Sequence, residues 1–417
     1  MSVRRSIPKG VPTGGVASRR MGNRRLPWLT SAWYAIVGII LTAAILRGPI
    51  TSVGPLLETI RSDAGLSATG AGMLSMLPLL AFAAVSPIAP AFGRWIGIEW
   101  ALSASLAVLV VGVLLRSAPQ AVTLFTGTAL IGVAIGLMNV LLSGLVKRDY
   151  PGRVTALTGL YTTVMGAFAM IGSGLAVPLA DATPGGWRTS LVVWAALATV
   201  ALVTWLPRLT RRRPEPDAVT GQSNVTDRTH WRSPLAWQLT AFFGLQSLGF
   251  YVAVSWLPTV LQSHGVSATS AGWYLALMQL TGLLASAASP LIVRRLPDQR
   301  LFAAGGAVLG VLSYAGFVIA PSLALLWTAT VGLSQGAGIT LALSFFALRA
   351  RHVQQAAALS GMGQSVGYLL AALGPLMFGV LHDRTGGWSI PLLVLTVLIG
   401  VQAVMALGAG RARHVGG

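Results

Sequence analysis

A permanent cation lies inside an apolar segment near the start of the chain. Arg47 belongs to the stretch AAILRGPITSVGPLL, residues 43 to 57, whose other members are almost all apolar or small. A guanidinium stays protonated and presents a planar fork of donors, which matches groups with two oxygens such as a carboxylate, nitrate or nitro group. The chemistry open to Arg47 is therefore anion binding, provided that no resident carboxylate already neutralises it.

The acidic residues offer Arg47 no obvious partner. All ten Asp and Glu residues fall in loops or at the ends of apolar runs, and so do the five histidines. Glu58 is the nearest acid in sequence, but it is eleven positions away, about 16 Å along a helix. Three explanations remain open: Arg47 is solvated in a central cavity, it donates to carbonyls freed by the Gly48-Pro49 helix break, or its partner arrives from solution.

Polar and aromatic residues at similar depth extend this candidate site. Amides lie near the middle of several apolar runs, and tyrosines supply flat walls with a polar end. For any single amide, a hydrogen bond between helices is at least as good an explanation. The predicted substrate-binding residues are Arg47, Asn139, Tyr161, Gln246, Tyr251, Gln279, Gln364 and Tyr368.

The composition places these residues in a membrane protein. The chain has 417 residues, of which 54% are hydrophobic and only 9% charged, against roughly 25% charged in soluble domains; its mean hydropathy is +0.73. Apolar runs long enough to cross a bilayer predict twelve membrane spans. They cover residues 31–57, 68–93, 99–116, 120–146, 154–180, 188–206, 235–262, 268–293, 301–320, 322–348, 354–381 and 388–409.

The positive charges predict the orientation of these spans. The formal net charge is +19, and 24 of the 29 Lys and Arg residues fall on the side of the N-terminus. The opposite loops carry only Arg61, Arg116, Arg188 and Arg384. By the positive-inside rule both termini are cytoplasmic in a multi-pass protein of the cell membrane. The basic charge then reflects topology and attraction to the lipid bilayer, so nucleic acid is not expected as a partner.

The chain repeats itself. LSATGAG at 66–72 matches VSATSAG at 266–272, and Gly132 and Gly136 match Gly332 and Gly336 at the same offset. The pattern predicts an all-α integral membrane protein made of two pseudo-symmetric six-helix bundles. The predicted segments are a disordered basic arm at 1–27, an N-terminal bundle at 28–207, a cytosolic linker at 208–233, a C-terminal bundle at 234–410 and a tail at 411–417.

Charged sequences at equivalent places in the repeat suggest an inner gate. VKRDYPGR at 146–153 and LRARHVQQ at 348–355 both follow a span on the cytoplasmic side. We expect their charges to pair in one conformation and to separate in another. The predicted gating residues are Arg94, Lys147, Arg148, Asp149, Arg349 and Arg351.

Several longer stretches carry a family resemblance. LRGPITSVGPLLETI, LMNVLLSGLVKRDYPGRVTALTGLYT, WRSPLAWQLTAFFGLQSLGFYVAVSWLP and ALRARHVQQAAALSGMGQSVGYLLAALGPLMFGVLHDRTGGW resemble the cyanate and nitroimidazole transporter family of the major facilitator superfamily, from about residue 30 to residue 408. The resemblance implies a twelve-helix transporter of small anionic or polar solutes. One departure is the loop APAFGRWIGIEW, which lacks the usual Asp, so Glu99 or Asp149 is expected to take that place.

Two functions follow from the residues and the resemblance together. The first is a secondary transporter that moves a small anion, such as a cyanate-like ion, a nitrate-like ion or a small carboxylate, by alternating access with Arg47 as counter-ion. The alternative is an exporter of nitroimidazole-like or other small polar drugs. No cofactor, metal site or enzyme activity is expected, because no span holds a cluster of His and carboxylates and the chain has no cysteine. A monomer is expected.

The spans also lack an ionisable group for proton coupling. Proton symporters usually carry an Asp, Glu or His within the membrane. The sequence therefore favours facilitated diffusion, anion exchange, or symport in which the proton travels on the solute. Glu58 and Asp149 are the carboxylates that a helix break would bring closest to the spans.

Overall fold

The computed structural model describes residues 32–209, 231–296, 298–411 and 413–415. The predicted arm at 1–27 and residues 210–230 of the predicted linker lie outside this described part. Within it the fold is all-α, with no β-strand. The α-helices are α1 Ala32–Ile45, α2 Gly48–Thr51, α3 Val53–Asp63, α4 Ala68–Val85, α5 Ala89–Ile96, α6 Ile98–Arg116, α7 Ala121–Asp149, α8 Val154–Asp181, α9 Gly186–Leu209, α10 Pro234–Ser263, α11 Ala268–Val293, α12 Arg300–Ile319, α13 Ala324–Leu348, α14 Val353–Thr385 and α15 Ser389–Ala409.

Twelve membrane-length helical segments are present in the described residues, as predicted. Most of them begin and end within a few residues of the apolar runs. The first span is longer than predicted, since α3 continues through Glu58 to Asp63. The eleventh likewise ends at Thr385 rather than near residue 381. Helical hydrogen bonds continue past the apolar run, so hydropathy alone ends these helices too early.

The first span is interrupted where the sequence places Gly48 and Pro49. Helix α1 ends at Ile45, the short helix α2 covers Gly48–Thr51, and α3 starts at Val53. Pro49 and Pro55 each lack a backbone N–H, so each removes one rung of the helical ladder. The Arg47 backbone lies outside the helical region, at φ −122° and ψ −38°. The interruption therefore sits at the middle of the span, beside the charged side chain.

Helices α1 to α9 form the first half of the described protein and α10 to α15 form the second. Because successive spans alternate in direction, Leu209, Pro234 and Leu348 lie at one end of the molecule, which we call the linker end. Asp63, Asp181 and Thr385 lie at the opposite end, which we call the far end.

The two halves meet along α4 and α14 and along α8 and α11. Their closest approaches lie towards the far end. The Cα of Gly54 in α3 faces the carbonyl oxygen of Val254 in α10 without room for a side chain, and Gly72 in α4 faces the backbone of Pro375 in α14 in the same way. Glycine at these positions lets the two backbones touch. The far end is thus closed between the halves.

Glycines of the repeat pack helices within each half. A Cβ on Gly132 of α7 would lie 2.6 Å from Pro78 of α4, and Gly336 of α13 contacts Gly282 of α11 directly. These equivalent contacts join equivalent helix pairs in the two halves. They hold α7 against α4 and α13 against α11 at the short distance that small residues allow.

Candidate functional site

The backbone on either side of the Gly48-Pro49 break is held by two neighbouring helices. Ser52 Oγ donates to the Gly48 carbonyl (2.7 Å) and accepts a hydrogen bond from Trp194 Nε1 of α9 (2.9 Å). Thr51 Oγ1 donates to the carbonyl of Ala169 in α8 (3.0 Å). A side chain on Gly48 would collide with the Trp194 ring. The position of Arg47 is therefore fixed by packing on both sides of the break.

The guanidinium of Arg47 has no anionic partner in the part of the chain that the structure describes. Its Cζ lies 5.1 Å from the centroid of the Phe250 ring in α10, and no carboxylate lies within 4 Å of it. Glu58, the nearest acid in sequence, pairs instead with Arg61 at 2.7 Å. Arg47 is only partly buried, so it keeps access to solvent. The alternative in which Arg47 donates to carbonyls of the helix break is not what the structure shows.

One aromatic ring of the second half lies against Arg47, and further rings pack in the same region. Phe250 meets the neighbouring Tyr251 edge to face, with centroids 5.2 Å apart. Tyr368 of α14 makes similar contacts with Phe243 of α10 at 5.4 Å and with Phe82 of α4 at 6.3 Å. Both tyrosine hydroxyls are within electrostatic range of Arg47. The structure thus brings together Arg47, Tyr251 and Tyr368 of the predicted site, and it adds Phe250 as the ring beneath the cation.

Gln246 does not belong to this group, which corrects one predicted site residue. It is 1% exposed, and its Nε2 donates to the backbone carbonyl (2.8 Å) and the side-chain oxygen (2.5 Å) of Gln335. Its own Oε1 accepts from Gln402 Nε2 at 2.6 Å. Gln335 also donates to the hydroxyl of Tyr314 at 3.3 Å. These residues form a buried network that joins α10, α12, α13 and α15, so the Gln246 amide is committed to helix packing.

The remaining predicted site residues are spread along the spans. Gln279 lies near the middle of α11, and its Nε2 has no partner in the described residues. Gln364 of α14 donates to Ser360 of the same helix at 2.8 Å. Asn139 of α7 is exposed, and Tyr161 of α8 lies towards the linker end. None of them contacts Arg47 through a hydrogen bond or ring contact in the described part of the chain, so their role stays a prediction.

Arg116 is a buried cation that the sequence analysis placed in an external loop, and that placement was wrong. It is the last residue of α6 and only 2% exposed. Its Nη1 donates to the carbonyl of Pro49 at 2.8 Å, while its Nε and Nη2 have no partner among the described residues. The apolar run was taken to end at Arg116 because hydropathy assigns a terminal charge to the loop. The free carbonyl beside the helix break was the only sequence signal that pointed to a donor from elsewhere.

At the linker end, charges of the first half pair with one another. Arg148 donates to Glu99 and, through Nε, to Asp149 at 2.9 Å. Asp149 also accepts from Arg208 at 3.1 Å. The network connects the start of α6 with the ends of α7 and α9. Asp149 and Glu99 thus both bind the basic residues of this half, as the missing loop Asp suggested.

Arg349, a predicted gating residue of the second half, bonds to residues of that half. Arg349 is 5% exposed and donates to the carbonyls of Ala409 and Gly410, both at 3.0 Å, and to Gln299 at 2.6 Å. Burial lowers the pKa of its guanidinium, and the charge of Asp298 opposes that shift. Arg94, Lys147 and Arg351 are exposed or partly exposed at the same end. Arg148, Asp149 and Arg349 thus each bond to residues of their own half, and the pairing expected between the two gate sequences stays a prediction.

The sequence of the chain matches a family model and several known transporters. The model of the family described as Major Facilitator Superfamily matches residues 36–375. A 2-nitroimidazole transporter of Escherichia coli (strain K12) is 44% identical over 380 residues, which are 91% of this chain and 96% of that protein. The transporter YycB of Bacillus subtilis (strain 168) is 42% identical over 92% of this chain and 95% of its own length. The cyanate transport protein CynX of Escherichia coli (strain K12) is 28% identical over 84% of this chain and 90% of that protein.

Solved structures share the fold at much lower identity. A bacterial homolog of the human lysosomal transporter Spinster, in an inward-facing and occupied conformation, superimposes with a TM-score of 0.74 at 17% identity, covering 91% of this chain and 97% of that one. A D-xylose-proton symporter gives a TM-score of 0.73 at 13% identity, covering 90% and 97%. At such identities the likeness concerns the architecture alone.

Proposed function

The chain belongs to the Major Facilitator Superfamily, and on that premise we propose that it carries a small planar anion through the membrane by alternating access, with Arg47 as the cation that binds the solute. Membership makes it a multi-pass membrane transporter of a small-molecule solute, and not an enzyme. The observation that carries the finer proposal is the guanidinium of Arg47, which lies at mid-span beside a broken helix without a carboxylate within 4 Å among the described residues.

The free energies involved favour an anion from solution as the partner of Arg47. A charged side chain at bilayer depth costs roughly 2.5 to 17 kcal/mol, whereas a cation–π contact such as that with Phe250 returns about 0.5 to 2 kcal/mol. The aromatic contact therefore cannot offset the cost by itself. Water reaching the partly exposed side chain supports Arg47 in the empty carrier, and an anion supports it in the loaded one.

The surroundings of Arg47 favour a flat solute. The rings of Phe250, Tyr251 and Tyr368 present apolar faces and hydroxyl edges around one planar guanidinium. A guanidinium donates two parallel hydrogen bonds to a carboxylate or a similar two-oxygen group. A carboxylate, a nitrate-like ion or a cyanate-like ion would meet the charge, while the rings would contact the rest of the solute.

A second candidate function is export of a neutral nitro compound, which the aromatic surroundings of Arg47 and the 44% identical 2-nitroimidazole transporter support. A nitro group also offers two oxygens to a guanidinium, although it carries no net charge. The two functions differ in how strongly binding depends on the charge of Arg47.

A matched pair of solutes separates these functions. Binding of 1-methylimidazole-2-carboxylate and of neutral 1-methyl-2-nitroimidazole to the purified protein is measured by calorimetry. We expect the carboxylate to bind more tightly and Arg47→Gln to weaken it by about 100-fold, because a hydrogen bond to a charged group contributes about 1.5 to 3 kcal/mol. Arg384→Gln removes the same charge from an exposed far-end position and serves as the control.

Two results of the same titrations would contradict the proposal. Unchanged carboxylate affinity in Arg47→Gln would remove Arg47 from the site. Tighter binding of the nitro compound, with equal small losses for both solutes in Arg47→Gln, would establish the second function instead.

We also propose that both termini are cytoplasmic, so that the linker end faces the cytoplasm. The asymmetry of the basic residues supports this orientation. With the far end closed between the halves, the conformation described here would then be the one that loads or releases solute on the cytoplasmic side. A single polypeptide holds both halves of the site, which is why we propose a monomer as the working unit.

A further inference from the structure

The second buried arginine lies against a cavity of its own. Arg116 borders a small space between α3, α4, α7 and α10, which has room for about two water molecules. Helices α3, α4 and α7 belong to the first half of the molecule, and α10 belongs to the second. The cavity therefore lies between the halves, on the far-end side of Arg47.

The polar groups around this cavity are donors. Arg116 has two nitrogen atoms, Nε and Nη2, that are buried and have no hydrogen-bond partner in the described part of the chain. Ser75, Tyr251 and Ser255 line the same space, and none of their hydroxyls makes a bond with a described residue. Thr128 also lines it but donates to Leu124 at 2.7 Å. The remaining lining residues are apolar, and none is an Asp or Glu.

The nearest acidic side chains are already paired. Glu58 binds Arg61 at 2.7 Å and Asp63 binds Arg188 at 2.7 Å, both at the far end of α3. A buried charge in apolar surroundings requires an opposite charge, and hydrogen bonds from water alone do not supply it. The size of the cavity excludes a substituted ring such as that of 1-methylimidazole-2-carboxylate.

We propose that the cavity at Arg116 binds one small inorganic anion of chloride to nitrate size, at a site separate from that of the transported solute. The anion accepts from Nε and Nη2 of Arg116 and from the hydroxyls of Ser75 and Ser255. Because the donors come from both halves, the bound anion holds the far end closed. A ligand that binds one conformation better than another shifts the population towards it.

Bromide provides the direct test, since it scatters X-rays anomalously and resembles chloride in size. Crystals of the full chain grown with sodium bromide at the physiological chloride concentration are expected to show an anomalous peak beside Nε and Nη2 of Arg116. The peak is expected to persist in Arg47→Gln, which separates this site from the proposed solute site. Water alone in the cavity, or a side-chain carboxylate there, would overturn the proposal.

Thermal unfolding of the purified protein gives a second readout. Bromide and chloride are expected to raise the Tm in a saturable way over gluconate at equal ionic strength. Arg47→Gln is expected to keep this shift, and Arg116→Gln to lose it. An equal Tm shift in Arg116→Gln would contradict the assignment. If Arg116→Gln does not fold, the crystallographic test on the unaltered chain still decides.

Discussion

One nitrogen of Arg116 donates a hydrogen bond to the Pro49 carbonyl, whereas the Arg47 guanidinium makes no hydrogen bond with a described residue. Both cations lie beside the same helix break, but they differ in how far they are buried. Arg116 is sealed at 2% exposure, while Arg47 remains partly accessible and faces aromatic rings. A side chain that binds and releases a solute, as proposed for Arg47, must be accessible. A side chain whose bound ion stays in place, as proposed for Arg116, can be enclosed.

Gln246 and Gln364 are both mid-span amides, but they differ in burial and in hydrogen-bond partners. The first lies at the centre of a buried hydrogen-bond network, while the second is partly accessible and bonds only to Ser360 within its own helix. Gln246→Leu leaves the amides of Gln335 and Gln402 short of partners, so we expect a loss of about 1 to 3 kcal/mol in stability. Affinity for 1-methylimidazole-2-carboxylate should stay the same.

Gln364→Leu is the matched variant, with a small effect on thermal unfolding and a loss of solute affinity expected. Both quantities are measured on the same preparations by thermal unfolding and calorimetry. Weaker solute binding in Gln246→Leu without a lower Tm would show that Gln246 belongs to the solute site at Arg47.

The limits of sequence reasoning are visible in these residues. The type and depth of Arg47 follow from the sequence, because the surrounding apolar run and the Gly48-Pro49 pair fix them. Hydrogen-bond partners do not follow, since Gln246 meets Gln402 across 156 residues of chain. Arg116 was missed for a related reason: a charge at the end of an apolar run is buried or exposed according to the helices beside it.

At the scale of helices, one carboxylate joins the halves at the far end. Asp383 of α14 accepts hydrogen bonds from the backbone nitrogens of Ala68 at 3.1 Å and Thr69 at 2.7 Å, and from the Thr69 hydroxyl at 2.7 Å. It therefore caps the first turn of α4 from the opposite half. The favourable interaction of a carboxylate with a helix N-terminus strengthens the contact.

We expect Asp383→Ala to open the far end more often. An N-cap contributes about 0.5 to 2 kcal/mol, and a change of about 1.4 kcal/mol corresponds to a tenfold shift in population. Because the chain has no cysteine, Ser255→Cys in the cavity between the halves can report opening through its rate of maleimide labelling. We expect about tenfold faster labelling when Asp383→Ala is added.

Asp181 supplies the control for this experiment. It occupies the equivalent place in the repeat but is exposed and makes no hydrogen bond with a described residue. Asp181→Ala should leave the labelling rate unchanged. Equal rates for the two aspartate variants would show that the Asp383 cap does not control closure.

The repeat predicts equivalent helices, although it does not predict this difference between Asp181 and Asp383. The apolar runs predict the number of spans, and most of their boundaries lie within a few residues of the helix ends. Closure depends on how far the halves are rotated against each other, which duplicated segments do not record. Only the placed backbones show that α14 reaches the start of α4 while Asp181 stays free of α11.

For the whole molecule, the contacts between the halves describe one end of a transport cycle. The far end is closed by Asp383 and by the close backbone approaches at Gly54 and Gly72. At the linker end, Asp149 binds Arg208 and Arg349 binds Gly410, and each of these contacts lies within one half. Rocking of two rigid halves around Arg47 would exchange these states, as expected of a duplicated carrier.

The distribution of carboxylates over the molecule predicts transport without a dedicated proton site. Glu58 pairs with Arg61, and Asp149 is bound by Arg148 and Arg208, so neither stands free within the spans. In proteoliposomes preloaded with unlabelled 1-methylimidazole-2-carboxylate, we expect exchange with labelled solute whose initial rate does not respond to an imposed pH gradient. A protonophore should have no effect, and Glu58→Gln should exchange at the rate of the unaltered protein. Uptake that follows the pH gradient and disappears in Glu58→Gln would instead identify that carboxylate as the proton carrier, because it alone would link proton movement to the rocking of the halves.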